Sequence, residues 1–115
     1  MFQLKTLLLA TSLFIVTSQA TAEGEHSHDF PKEIMDFHHV MAPLWHMKAS
    51  ESRTKLSCKA ADEMLTLTKA IAHSNDLQTT IKAMQKVCSS EKPNIQEAFK
   101  NIHDAFHAVT DSLKK

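Results

Sequence analysis

Apolar residues recur at intervals of three and four positions in the chain after residue 29, and this spacing constrains the fold more than any other feature. Residues spaced in this way share one face of an α-helix, whereas a half-buried strand alternates apolar and polar residues. The clearest run lies near the C-terminus and comprises Ile95, Phe99, Ile102, Phe106, Val109 and Leu113. The pattern predicts an all-α fold.

Three further segments carry similar apolar stripes. The first consists of Phe30, Ile34, Phe37, Met41 and Leu44. The second runs from about Ser50 to His73 and has two adjacent stripes, one of Ala60, Met64, Leu67 and Ile71 and one of Ala61, Leu65, Thr68 and Ala72. The third contains Leu77, Ile81, Met84 and Cys88. Because the connections are short, each helix should run antiparallel to the next, which predicts an up-down-up-down four-helix bundle.

Residues that favour helix starts precede these segments. They are Asp29 or Phe30 with Pro31 in the first turn, Ser50, Asn75 with Gln78, and Asn94 with Glu97. Pro43 lies inside the first predicted helix, where a proline removes a hydrogen bond and its ring clashes with the preceding turn. We therefore expect the first helix to be kinked or interrupted at Pro43.

The N-terminus has the three parts of a secretory signal peptide. Lys5 is followed by an uncharged, largely apolar run over residues 6–20 and then by Ala20-Thr21-Ala22. The run is shorter than the roughly 20 apolar residues that a membrane span needs. We expect residues 1–22 to be removed, which leaves an exported protein in the periplasm or outside the cell, with no membrane segment.

Cleavage would leave a short tail, residues 23–29, and a single bundle domain, residues 30–115. The tail contains His26 and His28, and whether they contribute to a site is left open by the sequence.

The two cysteines indicate a structural disulfide. Cys58 and Cys88 lie at equal distances from residue 73, the turn between the second and third predicted helices, so an antiparallel hairpin places them level. An oxidising compartment permits the bond. A thiolate metal site or a redox couple is the alternative, but neither cysteine has a Cys or His neighbour at a metal-ligand spacing.

Charge and glycine content exclude several classes of function. The chain has 13 basic and 13 acidic residues, so it has no basic surface for nucleic acid, and its single glycine rules out a glycine-rich phosphate loop. No catalytic constellation is present either. Asp104, beside His103, is expected on the solvated face, where it could at best orient an imidazole. We predict a protein that is not an enzyme.

Eight histidines and six methionines carry the functional prediction. His103 and His107 lie one helical turn apart, and an antiparallel first helix brings Met35, His38 and His39 to their level. Imidazole and thioether groups bind transition metals, so these five residues form a candidate site for copper, zinc or nickel. For any single histidine the alternative is a solvated or half-buried helix face. Trp45 is expected to cap the bundle near Pro43.

The segment from Phe37 to His46, Phe-His-His-Val-Met-Ala-Pro-Leu-Trp-His, together with the histidines near the C-terminus, resembles small exported four-helix-bundle haem proteins. These are the cytochrome c-prime and soluble cytochrome b types. The Cys-x-x-Cys-His attachment motif of cytochrome c-prime is missing, so covalent haem cannot be carried over. The resemblance to the b type implies haem b with Met35 and His107 as axial ligands.

Three hypotheses follow for the function. The first is a non-catalytic metal-binding protein, and the second is a haem b electron carrier. The third is an interaction or chaperone-like protein with no ligand, whose partner would be a second copy of the chain or another periplasmic protein.

Overall fold

The computed structural model describes residues 30–114, which are all-α, with four helices and no strand. The helices are α1 (Lys32–His46), α2 (Glu51–Thr68), α3 (Asn75–Cys88) and α4 (Gln96–Leu113). The predicted four-helix, all-α fold is confirmed for this range. In the same range, no helix has both the length and the hydrophobicity that a bilayer span requires. The signal peptide and tail predicted for residues 1–29 lie outside the described residues, as does Lys115.

The starts of three helices lie within one or two residues of the predicted positions. Ser50 caps α2, where its Oγ accepts a hydrogen bond from the Arg53 backbone N–H at 3.0 Å. α1 begins after Pro31, and α4 begins at Gln96, whose N–H donates to Asn94 Oδ1 at 3.2 Å. Ser50 and Asn94 thus bind backbone N–H groups in first turns, where the helix itself supplies no acceptor.

The connection between α2 and α3 begins earlier than the sequence pattern predicts. α2 ends at Thr68 and not at His73, which adopts a left-handed backbone conformation with φ of 59°. Ser74 takes the place predicted for Asn75 at the start of α3. Its Oγ donates to the Thr68 carbonyl at 2.9 Å and accepts from Gln78 Nε2 at 3.0 Å. These bonds satisfy the buried Ser74 hydroxyl and join the end of α2 to α3.

The apolar core follows the predicted stripes on α1, α3 and α4. Within it the rings of Phe37 and Phe106 stack with centroids 5.3 Å apart. Leu113 departs from the pattern: it is the last residue of α4 and is 47% exposed. The helical spacing therefore identified the buried side of these three helices.

The buried face of α2 lies where the two predicted stripes meet. Ala60 and Leu67 are only half-buried, and the fully buried residues of α2 are Arg53, Ser57, Ala61, Met64 and Thr68. Burial of a hydroxyl is tolerated where it has a partner, and Thr68 Oγ1 donates to the Leu65 carbonyl at 2.6 Å. Ala61, Met64 and Thr68 of the predicted stripes are thus confirmed as buried, and the apolar pattern missed Arg53 and Ser57 because both are polar.

Contacts between side chains define the direction of two helix pairs. Phe37 of α1 contacts Phe106 of α4, and Trp45 of α1 contacts Phe99 of α4, so the two helices are antiparallel. In α2 and α3, Cys58 is bonded to Cys88, and Asp62 Oδ1 accepts from Gln85 Nε2 at 2.6 Å, so this pair is antiparallel too. The complete up-down-up-down order stays a prediction.

α1 continues through Pro43 and ends at His46. Proline has no N–H, so Pro43 cannot donate to the carbonyl of His39, four residues earlier. The kink expected there stays a prediction.

Arg53 joins three helices. It is the only arginine in the sequence and is 4% exposed. Its Nε donates to the Leu44 carbonyl at 2.9 Å and its Nη2 to the Trp45 carbonyl at 3.3 Å, in the last turn of α1. Its Nη1 donates to Gln96 Oε1 at 2.8 Å, at the start of α4. The guanidinium thereby supplies donors to carbonyls at a helix end, where the helix itself provides none.

Replacing Arg53 by Leu should lower the free energy of unfolding by about 2 to 4 kcal/mol, because three part-buried acceptors lose this donor and an acceptor left unpaired away from water costs about 1 to 3 kcal/mol. Arg53→Lys should recover only part of this loss, since one ammonium cannot reproduce the fork of a guanidinium. Urea unfolding followed by circular dichroism measures the effect. Lys55→Ala, an exposed change on the same helix, is the control and should stay within about 0.5 kcal/mol of wild type. An unchanged urea midpoint for Arg53→Leu would contradict the assignment.

The predicted disulfide is confirmed: Cys58 and Cys88 are bonded, with Cα atoms 5.7 Å apart and a sequence separation of 30. Replacing both by Ser should lower the free energy of unfolding by about 3 to 4 kcal/mol, because the unfolded chain regains the entropy of an open loop. Wild-type protein unfolded in the presence of a thiol reductant should match the double variant. Equal stability of the oxidised and reduced proteins would show that the bond does not stabilise the fold.

Candidate functional site

An open cleft of about 290 Å³ lies between the first turns of α1 and the last turns of α4. It contains three of the five predicted ligands, Met35, His38 and His107. The cleft is lined by Phe30, Ile34, Met35, His38, Phe106, His107, Thr110 and Lys114. Ile34 and His38 are one turn apart on α1, and Phe106 and Thr110 are one turn apart on α4, so each helix contributes one face. The antiparallel packing of the two helices brings these faces together.

His103 and His107 form a pair beside this cleft. Their Nε2 atoms are 3.2 Å apart, and the ring centroids are 4.4 Å apart. At this distance one neutral imidazole donates a hydrogen bond to the other. Nitrogen ligands bind zinc at about 2.0–2.1 Å, so two ligands of a tetrahedral ion lie roughly 3.3 Å apart. The pair therefore already has nearly the spacing that a shared ion requires.

Trp45 positions the His103 ring. The indole and the imidazole stack with centroids 4.4 Å apart and an angle of 17° between their planes. Trp45 in turn packs edge-on against Phe99, with centroids 5.4 Å apart. The sequence predicted a capping role for Trp45, which stays a prediction, and the contact of its ring with His103 was not predicted.

Asp104 contributes little to the orientation of His103. Its Oδ1 is 3.7 Å from His103 Nδ1, which is longer than a hydrogen bond. Its Oδ2 is 2.9 Å from Lys100 Nζ, in an exposed ion pair. Asp104 lies on the solvated face of α4, where the sequence placed it.

The structure does not bring His39 together with the other predicted ligands. His39 is exposed and does not line the cleft. His46, which was not among the predicted ligands, lies close enough to His38 and His103 for its charge to lower the pKa of both. His46 follows His38 by eight positions, a spacing that keeps residues on one side of a helix, so this periodicity was the available signal. His26 and His28 lie outside the described residues.

Partial burial lowers the pKa of two of these imidazoles. Partial desolvation is the main cause of the lowered pKa of His38, with smaller contributions from His39, His107 and His46. Burial is also the first cause of the lowered pKa of His103, followed by the neighbouring His107, while Asp104 opposes the shift. Neutral imidazole is the form that coordinates a metal ion, so both shifts favour the form that can act as a ligand.

The site is not a complete set of ligands as it stands. Within residues 30–114, no three side chains of the His, Cys, Asp and Glu types are arranged to hold an ion together. A thioether is outside that set, and Met35 lines the same cleft as His38 and His107. The described geometry therefore consists of a two-histidine pair on α4 that faces a histidine and a methionine on α1.

A larger open groove, of about 710 Å³, lies between the start of α2 and the α3–α4 connection. Its lining includes Glu51, Lys55, Glu91 and Lys92 but no histidine or methionine. Mixed surface charges of this kind give no ligand set, so the histidine cleft is the better candidate.

Comparison of the chain with known protein families, with curated proteins and with solved structures found no match.

The lowered pKa values of His38 and His103 predict that acid destabilises the fold. Unfolded histidine titrates near a pKa of about 6.5, so below that pH the unfolded chain binds protons that the folded chain resists. The free energy of unfolding should be at its maximum above about pH 6.5 and should decrease as the pH falls through the lower pKa values of the folded state.

Urea unfolding between neutral and mildly acidic pH, in the presence of a chelator, measures this slope. The double variant His38→Gln/His103→Gln should lose less stability on acidification than wild type. His73→Asn, in the exposed α2–α3 turn, is the control and should keep the wild-type slope. Identical slopes in all three proteins would contradict the prediction.

Proposed function

We propose that this protein is exported and binds a transition metal ion, copper, zinc or nickel, without catalysing a reaction. The observation that carries the proposal is the His103–His107 pair, whose Nε2 atoms are 3.2 Å apart beside a cleft that contains Met35 and His38. Ligands from two helices would allow one ion to hold α1 and α4 together.

His107 is the central ligand in this proposal. It contacts His103 directly, and it lines the cleft with Met35 and His38. His38 and Met35 are the further ligands that the same cleft offers to an ion bound by the pair. Because Trp45 stacks on His103, this imidazole would lose less conformational entropy on binding an ion.

Two features support an exported, non-catalytic protein. The Cys58–Cys88 disulfide is of the kind that persists in oxidising compartments, which agrees with the predicted signal peptide. The Asp104 carboxylate is held by Lys100 and is 3.7 Å from the adjacent imidazole, so it is poorly placed to act as a general base.

Haem b is the second candidate, because Met35 and His107 line the same cleft. The cleft is small for this group: its volume of about 290 Å³ lies at the lower limit of pockets for drug-sized ligands, about 300–1,000 Å³. The stacked rings of Phe37 and Phe106 also occupy space between α1 and α4. The residues present therefore fit a small ion better than a porphyrin.

The test uses the mature chain, exported through its own leader and carrying no affinity tag. Elemental analysis and a visible spectrum of the purified protein come first, followed by titration of the metal-free protein with zinc(II) and a competing chromophoric chelator. The double variant His103→Gln/His107→Gln should bind zinc at least about tenfold more weakly, because loss of even an outer-shell partner costs about 10- to 100-fold. His73→Asn should bind as wild type does.

Equal zinc affinity in the double variant and the wild type would overturn the proposed site. A Soret band in the purified protein would establish the haem alternative. A folded protein that takes up neither metal nor haem would support the third hypothesis, an interaction or chaperone-like protein with no ligand.

A further inference from the structure

We infer that the ion is copper(I) and that Met35 supplies a sulfur ligand to it. This inference rests on the proposed function and narrows it to one metal. Its basis is the chemistry of the cleft lining, which combines a thioether and imidazoles with no anionic group.

Met35 differs from the methionines of the core. Met41, Met64 and Met84 are at most 2% exposed and belong to the buried cluster. Met35 is only half-buried and lines the cleft with His38, three residues later on the same face of α1. Core packing therefore accounts for the three buried methionines but not for the position of Met35.

Thioether sulfur is a soft ligand that favours copper(I), whereas zinc takes sulfur from cysteine thiolates. The chain has two cysteines, and both are used in the Cys58–Cys88 disulfide. Sulfur ligation in this protein must therefore come from methionine. A site that combines thioether and neutral imidazole selects copper(I) over zinc or nickel.

The charge of the lining favours a monovalent ion. The eight lining residues include no carboxylate, and the one permanently charged side chain among them is cationic, that of Lys114. Lys114 is exposed and lies 3.8 Å from Asp111 Oδ1, so its repulsion is partly compensated. A divalent ion would keep its full double charge against neutral ligands and the apolar side chains of Phe30, Ile34 and Phe106, which costs more than burial of a single charge.

The experiment first compares the affinities of three metal ions for the wild-type protein. It then compares the copper(I) affinities of methionine variants. The mature, disulfide-intact protein is titrated anaerobically with copper(I), kept reduced by ascorbate, against a chromophoric copper(I) chelator. Parallel titrations use zinc(II) and nickel(II), and a thiol assay at the end verifies that the disulfide is intact. We expect copper(I) to bind more tightly than either divalent ion and to change the fluorescence of Trp45, which stacks on His103.

Met35→Leu keeps the size and hydrophobicity of the side chain but removes the sulfur. It should weaken copper(I) binding at least about tenfold, as loss of a coordinating group does, and leave zinc(II) affinity nearly unchanged. Met47→Leu, in the residue that follows α1, is the matched control and should bind both ions as wild type does. X-ray absorption at the copper edge should show sulfur in the wild type and none in Met35→Leu.

Each failure has a distinct meaning. Equal copper(I) affinity in Met35→Leu and wild type, or tighter binding of zinc than of copper(I), would overturn this inference while the metal-binding function stands. Absence of binding for all three ions would overturn both.

Discussion

The burial of Arg53 is the constraint on which the arrangement of helices depends. A guanidinium removed from water must have its donors satisfied, and Arg53 meets this requirement with the Leu44 and Trp45 carbonyls and the Gln96 amide. Its charged face also lies over the rings of Trp45 and Phe99, at 5.5 and 5.1 Å. All these partners are neutral, so the charge is stabilised by dipoles and aromatic rings. The end of α1 and the starts of α2 and α4 are thereby held at one point.

The same contacts connect the fold to the candidate site. Arg53 binds the backbone carbonyl and covers the ring of Trp45, Trp45 stacks on His103, and His103 contacts His107. The position of the imidazole pair therefore depends on contacts at the end of α1, whereas the cleft beside the pair lies at the start of α1. Because this support restricts the side chains before an ion binds, the ligand pair would lose little conformational entropy on binding. Trp45 is half-buried and contacts both Phe99 of the core and His103.

The interior between α1 and α4 bears on the choice of ligand. The Phe37 and Phe106 rings stack between α1 and α4, and Phe106 also lines the open cleft. A cleft with neutral nitrogen and sulfur donors and apolar walls suits a small soft cation better than a macrocycle or a hard divalent ion. The haem resemblance is based on a Met and a His at matching places in a common architecture. Met35 and His107 are also candidate ligands of a metal ion, which needs no additional space between the helices.

Local spacing in the sequence was sufficient for several features of this protein. The helical stripes of α1, α3 and α4, the Ser50 cap and the Cys58–Cys88 bond were predictable because each depends on a period, a neighbouring residue or a distance from a turn. The sequence positions of Met35 and His38 on an antiparallel helix pair also predicted that both lie near His107. Only the tertiary structure showed that Arg53 and Ser57 complete the buried face of α2, because polar side chains are hidden only where other groups accept from them or surround them. It likewise separated His39 from the site and joined Trp45 to His103, since rotation of a helix about its axis is determined by its partners and not by its own spacing.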